Sequence, residues 1–328
     1  MTGYCRDCFT GTVEADAAPL GTEQTLHGLP TYVTYSPSNS NSNPNPNPNL
    51  TTGVIVIITD AFGWTFLNTR TLADAYAARA NCTVYIPDFM NGTALPVSVL
   101  RNMEYAPPIT DLLPLRVVKR AWALAQTIPA FARFAVGSRH SVAQKRIREF
   151  LGAVHANPIP NPNPNPGGGG GAVAVKVGVV GFCWGGRFVI ELTHDIPENK
   201  LSGENGTGTG NGNGKGLITC AFTAHPSLVT IPGDLEEVVL PLSVANGEDD
   251  EWMGKEKFDI LKRVLEGKNE AAAAAGNEAH EVHEVVVYPG AKHGFAVRRD
   301  WTEERQKEIR DRCEDQAVAW FRRHLVDV

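Results

Sequence analysis

Residues 172–186, AVAVKVGVVGFCWGG, and the RFVIELTHD that follows at 187–195, decide the fold. The first part is apolar and β-branched apart from Lys176, as expected of a strand buried on both faces of a parallel sheet. It runs into glycines and then into a helical pattern, so strand, sharp turn and helix follow one another. Gly181-Phe182-Cys183-Trp184-Gly185-Gly186 puts a cysteine at the tip of that turn, in the G-x-C-x-G-G form of a nucleophile elbow. A side chain presented there takes strained backbone angles, and small residues two before and two after keep its flanks from colliding. Gly181 and Gly185 meet that need. The helix beginning after Cys183 aims its N-terminal dipole at the sulfur, which favours thiolate, and the Trp184 N–H can donate to an oxyanion.

On both sides the pattern alternates. GVIVIITDAFG (53–63) is another buried strand ended by a turn; TRTLADAYAARA (69–80) follows as a helix with Leu72, Tyr76 and Ala80 on one face; CTVYIPDF (82–89) is a strand closed by Pro87. Residues 112–134 and 138–151 are helix candidates, the first interrupted by Pro114 and Pro129, the second basic on one side, and together they read as an insertion over the sheet. LITCAFTAHP (217–226), LPLSVANG (240–247) and HEVVVYPGA (283–291) are three more strands, with a helix over 251–265 before the last and a C-terminal helix from about Thr302. Strands alternating with helices predict an α/β fold, a mostly parallel central sheet with helices on both faces.

An elbow nucleophile needs a histidine base and an acid to orient it, arriving in the order nucleophile, acid, histidine at the carboxyl ends of later strands. Glu248-Asp249-Asp250 follows the strand at 240–247, and Lys292-His293-Gly294-Phe295 follows the strand at 283–291. Asp250 is the preferred acid, with Asp249 the alternative; one of the two could instead cap the following helix. His293 is the base candidate by position. His225, just past a strand end in TAHP, is its competitor and is expected to line the pocket or support it.

The 328 residues are 42% hydrophobic and 20% charged, which permits a substantial core, and 30 basic against 36 acidic residues give a net charge of −6. With no basic block, nucleic acid is not an expected partner. No run approaches the roughly 20 apolar residues needed to span a bilayer, and the amino terminus lacks the pattern of a signal or transit peptide, so a cytoplasmic protein without a membrane partner is expected. Six scattered cysteines make no disulfide framework. The Cys5–Cys8 pair lacks a second Cys/His pair at finger spacing and reads as part of a docked tail rather than a metal or redox site. Asn-, Pro-, Gly- or Ala-biased segments at 38–49, 157–171, 203–216 and 267–280 are expected to be flexible loop insertions within a single domain over 1–328.

Taken together, GTEQTLHGLPTYVTY (21–35), TDAFGW (59–64), Pro87-Asp88, GFCWGG, PLSVANGEDD and YPGAKHGFAVR resemble the dienelactone hydrolase family of α/β-hydrolases, and its fungal-type members most closely. GFCWGG with KHGFAVR at this separation carries the resemblance. It implies a Cys–His–Asp triad on Cys183, His293 and Asp250, and an oxyanion hole from the Trp184 N–H and a backbone N–H near Ala61 or Phe62. It further implies that Asp60 stands where many members have a glutamate holding the resting cysteine, and that Arg298 is the counterpart of an arginine that holds the substrate carboxylate. The expected function is hydrolysis of a small ester or lactone of dienelactone type through a thioester, with no metal or organic cofactor, by a monomer or homodimer. A thioesterase, a general carboxylesterase, and a non-catalytic scaffold that binds a small molecule are the alternatives.

Overall fold

The computed structural model describes residues 18–36, 53–157, 175–201, 215–276, 282–298 and 304–326. Its centre is a sheet of eight strands: β1 (Thr22–Leu26), β2 (Leu29–Thr34), β3 (Val54–Ile58), β4 (Thr83–Pro87), β5 (Val177–Phe182), β6 (Cys220–Ala224), β7 (Leu242–Asp249) and β8 (His283–Lys292). Their spatial order is β1-β2-β4-β3-β5-β6-β7-β8. Pairing is parallel from β4 through β8, while β1 with β2 and β2 with β4 are antiparallel. Because β4 and β5 flank β3, the strand order reverses there, and such a reversal opens a crevice at the carboxyl ends of the strands.

The helices are α1 (Leu67–Ala80), α2 (Ser98–Glu104), α3 (Leu113–Ala125), α4 (Ile128–Gly137), α5 (His140–Ala156), α6 (Trp184–Leu192), α7 (Gly233–Glu236), α8 (Lys255–Ala274) and α9 (Glu304–Leu325). Alternation along the strands divides the core into two layers. Ile55 and Ile57 of β3 and Phe182 of β5 face a layer closed by Tyr76 of α1 and Trp320 and Phe321 of α9. Val54, Val56 and Ile58 face the opposite layer, closed by Ile147 and Phe150 of α5, Val189 of α6 and Leu261 of α8. Helices on both faces explain why β3, β4, β5 and β6 read as continuous apolar runs rather than alternating ones.

Several boundaries differ from the sequence expectation, for physical reasons. The expected loop at 267–280 is helical through Ala274, as α8 continues across Glu270 and the alanines at 271–274; alanine has the highest intrinsic helix propensity. Pro114 and Pro129 do not interrupt a helix but open α3 and α4, where a missing N–H costs nothing. Helix α6 starts at Trp184 and ends at Leu192, ahead of the 187–195 expected. The β1–β2 hairpin and α2 had not been anticipated as elements; the hairpin turns on His27 and Gly28, with φ of 49° and 81°. The segment at 38–49, Cys5 and Cys8, nearly all of 157–171 and most of 203–216 lie outside the described residues. Among the described residues no helix is long and apolar enough to cross a membrane.

Candidate active site

Three side chains from distant parts of the chain meet at the carboxyl ends of β5, β7 and β8. Cys183 stands between β5 and α6 with φ 50° and ψ −110°, a left-sided conformation that only a tightly constrained turn holds for a residue with a Cβ. The constraint comes from the flanks. A Cβ on Gly181 would lie 2.6 Å from the Gly185 carbonyl oxygen and from the Val189 side chain, and one on Gly185 would overlap the Ile58 carbonyl. Helix α6 is thereby packed directly on β3 and β5. Gly186 N–H and Ser227 N–H both donate to the Cys183 carbonyl, at 3.0 Å each. Cys183 is 5% exposed, and its thiol lies 3.7 Å from the Ser227 hydroxyl.

His293 follows β8 and is buried. Its Nδ1 lies 2.9 Å from Oδ2 and 3.1 Å from Oδ1 of Asp250. Asp250 is fixed in turn, since its Oδ1 accepts from the backbone N–H groups of Trp252 (2.8 Å) and Met253 (3.1 Å). Asp249, the alternative acid, is exposed and ends β7 opposite Lys292. With Nδ1 engaged by Asp250, Nε2 is the nitrogen that remains for Cys183. Burial disfavours the imidazolium, but the charge of Cys183 together with hydrogen bonding to Asp250 and Cys183 outweighs it, and the His293 pKa rises to about 10. Cys183 and His293 are therefore coupled by charge first and by hydrogen bonding second.

A second buried pair lies alongside. Asp60, in the turn after β3, receives the Phe62 N–H on Oδ1 at 3.0 Å and the Arg298 guanidinium on Oδ2 at 3.3 Å. Arg298 also lies over the Phe62 ring, 5.5 Å from its centroid. Burial raises the Asp60 pKa to about 6 against the opposing pull of Arg298, and the nearby charge of Cys183 adds to the rise. Arg298, carried over as a carboxylate holder, is thus buried against a carboxylate of the protein itself. Phe62 N–H is likewise engaged. Of the two candidates in that turn, the Ala61 N–H has no bonded acceptor among the described residues, and Trp184 contributes the first N–H of α6.

His225 is wholly buried, edge-on to His293 with ring centroids 5.0 Å apart and against Phe182 and Phe295. Neither ring nitrogen has a hydrogen-bond partner, and burial drives its pKa well below the usual 6.5. It is a neutral wall of the site. Ser227 was the residue that sequence reasoning passed over. The available signal was its place two residues beyond His225, after the carboxyl end of β6. Among the described residues no group of three or more His, Cys, Asp or Glu side chains is placed to hold a metal ion.

No family model matches the chain. Hydrolase pyvD of Aspergillus violaceofuscus is 23% identical over 297 residues, covering 90% of this chain and 87% of its own length. Hydrolase tropI of Talaromyces stipitatus is 22% identical over 326 residues, covering 97% and 95%. Among solved structures, a dienelactone hydrolase-like promiscuous phosphotriesterase from metagenomic libraries superposes with a TM-score of 0.50 at 16% identity, covering 93% of this chain and 99% of that one. At such identity the likeness is one of fold, and with the strand order, the elbow and the crossover helices it establishes that the chain has the α/β-hydrolase fold.

Proposed function

We propose that the protein hydrolyses small esters or lactones of dienelactone type, with Cys183 as nucleophile, His293 as base and Asp250 as the group that orients it. The observation that carries this reading is the strained cysteine on the β5–α6 turn, electrostatically tied to a buried histidine whose other nitrogen is held by a doubly anchored carboxylate. Both curated relatives bear the name hydrolase, which agrees.

In this mechanism the Cys183 thiolate attacks the carbonyl carbon. The negative charge passes to the carbonyl oxygen, where the Trp184 and Ala61 N–H groups receive it; one such donor is typically worth about 100- to 1000-fold in rate. The tetrahedral intermediate collapses with cleavage of the ester C–O bond, and the imidazolium of His293 gives its proton to the departing alkoxide. Neutral His293 then takes a proton from water, whose oxygen attacks the thioester and expels the thiolate. A substrate carboxylate would compete with Asp60 for Arg298, most readily when Asp60 is protonated.

The test is hydrolysis of a dienelactone, p-nitrophenyl acetate and an acyl thioester by the wild type and by Cys183→Ala, with intact-mass detection of an acyl adduct. Turnover lost in the variant and an adduct on Cys183 are expected, and the preferred substrate fixes the class. Turnover that survives the substitution, or a Cys183 inert to iodoacetamide with no turnover on any substrate, refutes the reading.

A further inference from the structure

Helix α3 is folded inside out. Arg120 turns inward, its guanidinium donating to the carbonyls of Asn102, Met103 and Tyr105 at 2.7–2.9 Å and satisfying the orphan acceptors at the end of α2, while the half-exposed Lys119 pairs with Asp111 of the preceding loop at 2.8 Å. The apolar side of α3 therefore faces outward. Val118 is 63% exposed and Trp122 69%, and Leu112 and Leu113 around the start of α3 and Ile128 and Val136 of α4 are exposed as well. Of fifteen large apolar side chains exposed among the described residues, eleven fall between Tyr105 and Val142. Elsewhere such residues are scattered singly, as on ordinary surfaces; a concentration of this kind marks a docking face.

Charge indicates what docks. From Tyr105 to Val142 the sequence holds five Lys or Arg against one acid, Asp111, which Lys119 already pairs, in a chain whose net charge is −6. Arg133 of α4 is exposed, and so is Arg139, which donates to the carbonyl of the exposed Val136 at 3.0 Å. Two copies joined through this face would set these cations near their own counterparts, with the one carboxylate of the stretch, Asp111, already paired to Lys119. An anionic lipid surface instead offers acyl chains to the leucines, valines and tryptophan and headgroup charge to the rim, the composition of helices that lie in the plane of a membrane.

We infer that α3 and α4 form an interfacial anchor that seats the protein on anionic membrane surfaces. No spanning segment is required, which is why the length of apolar runs, the basis for expecting no membrane partner, does not register it. The inner side of α4 sets Phe134 against Trp184, with ring centroids 6.3 Å apart, so the anchored element also roofs the turn that carries Cys183.

The full chain is tested by co-sedimentation with vesicles of phosphatidylcholine alone and of phosphatidylcholine with 30% phosphatidylglycerol, at low and high salt. Binding to the anionic vesicles, weakened by salt, is expected. The double variant Val118→Ser/Trp122→Ser should lose it, with an unchanged melting temperature showing that exposed residues alone were altered. Arg133→Gln and Arg139→Gln should each weaken it by roughly fivefold. Absence of binding to anionic vesicles, or binding indifferent to the double variant, overturns the inference. So does a dimer in analytical ultracentrifugation that the double variant converts to monomer without any vesicle binding, which would assign the face to a second copy.

Discussion

Replacing Asp60 by asparagine should stabilise the protein at neutral pH, although it removes one partner of a buried ion pair. Breaking such a pair ordinarily costs about 3–5 kcal/mol, because the remaining charge is stranded. Here the Asp60 pKa decides the sign: it rises from its ordinary 3.8 to about 6 in spite of Arg298, so the folded protein already resists ionising this carboxyl. A raised carboxyl pKa contributes stability that is fully present below 3.8 and lost as the pH climbs through 6. The rise corresponds to about 3 kcal/mol at pH 8, and to about half of that at pH 5. Asparagine keeps the shape of the neutral acid and never ionises. Asp60→Asn is therefore expected to exceed the wild type by about 3 kcal/mol at pH 8, with the gap narrowing towards pH 5. The assay is urea unfolding of both proteins at the two pH values. Only their difference isolates Asp60, since His225, lowered well below 6.5, and His283, lowered to about 4, each withdraw stability as the pH falls. A variant less stable than the wild type at pH 8 would show that the attraction to Arg298 outweighs burial, and would refute the reasoning.

Two further outcomes follow from the site. Asp250→Asn removes a group that raises the His293 pKa, so the alkaline limit of activity should move down from about 10, and kcat should fall by roughly 10³- to 10⁴-fold, the scale seen when a triad acid is neutralised; a kcat–pH profile with an unmoved alkaline limb would exclude Asp250 as the orienting acid. Gly185→Ala drives a methyl into the Ile58 carbonyl and should cost about 1–3 kcal/mol or more, read as a lowered urea midpoint with loss of the Cys183 reactivity towards iodoacetamide; an unaffected variant would mean that α6 does not need its close approach to β3.

What the sequence made legible was local or directional. The strand–turn–helix at Cys183 could be read because close approach of a helix to a strand demands glycine at 181 and 185, and the meeting of His293 with Asp250 because parallel strands deliver their following loops to one edge. Of the two acids, the preferred Asp250 turns inward to His293 and the alternative Asp249 ends exposed. The pairing of Asp60 with Arg298 joins residues 238 apart and left no local trace. The hairpin escaped because β1 is an edge strand with no buried residue and little apolar pattern. Periodicity marked residues 112–134 as helical, yet a periodic pattern states that a helix has two faces and not which of them the fold will claim. In α3 the carbonyls at the end of α2 claimed the polar one.

The compositionally biased stretches have a common address. Those at 38–49, 157–171, 203–216 and 267–280 precede β3, β5, β6 and β8, so each feeds the amino end of a strand, whereas Asp60, Cys183, His225, Asp250 and His293 all follow carboxyl ends. Extending a connection costs only about 0.6 kcal/mol per doubling of its length, provided its end points stay fixed. The sheet thus separates two ledgers of sequence change, a rear edge where residues can be added in number and a front edge where the displacement of a single carboxylate would be felt by the sulfur.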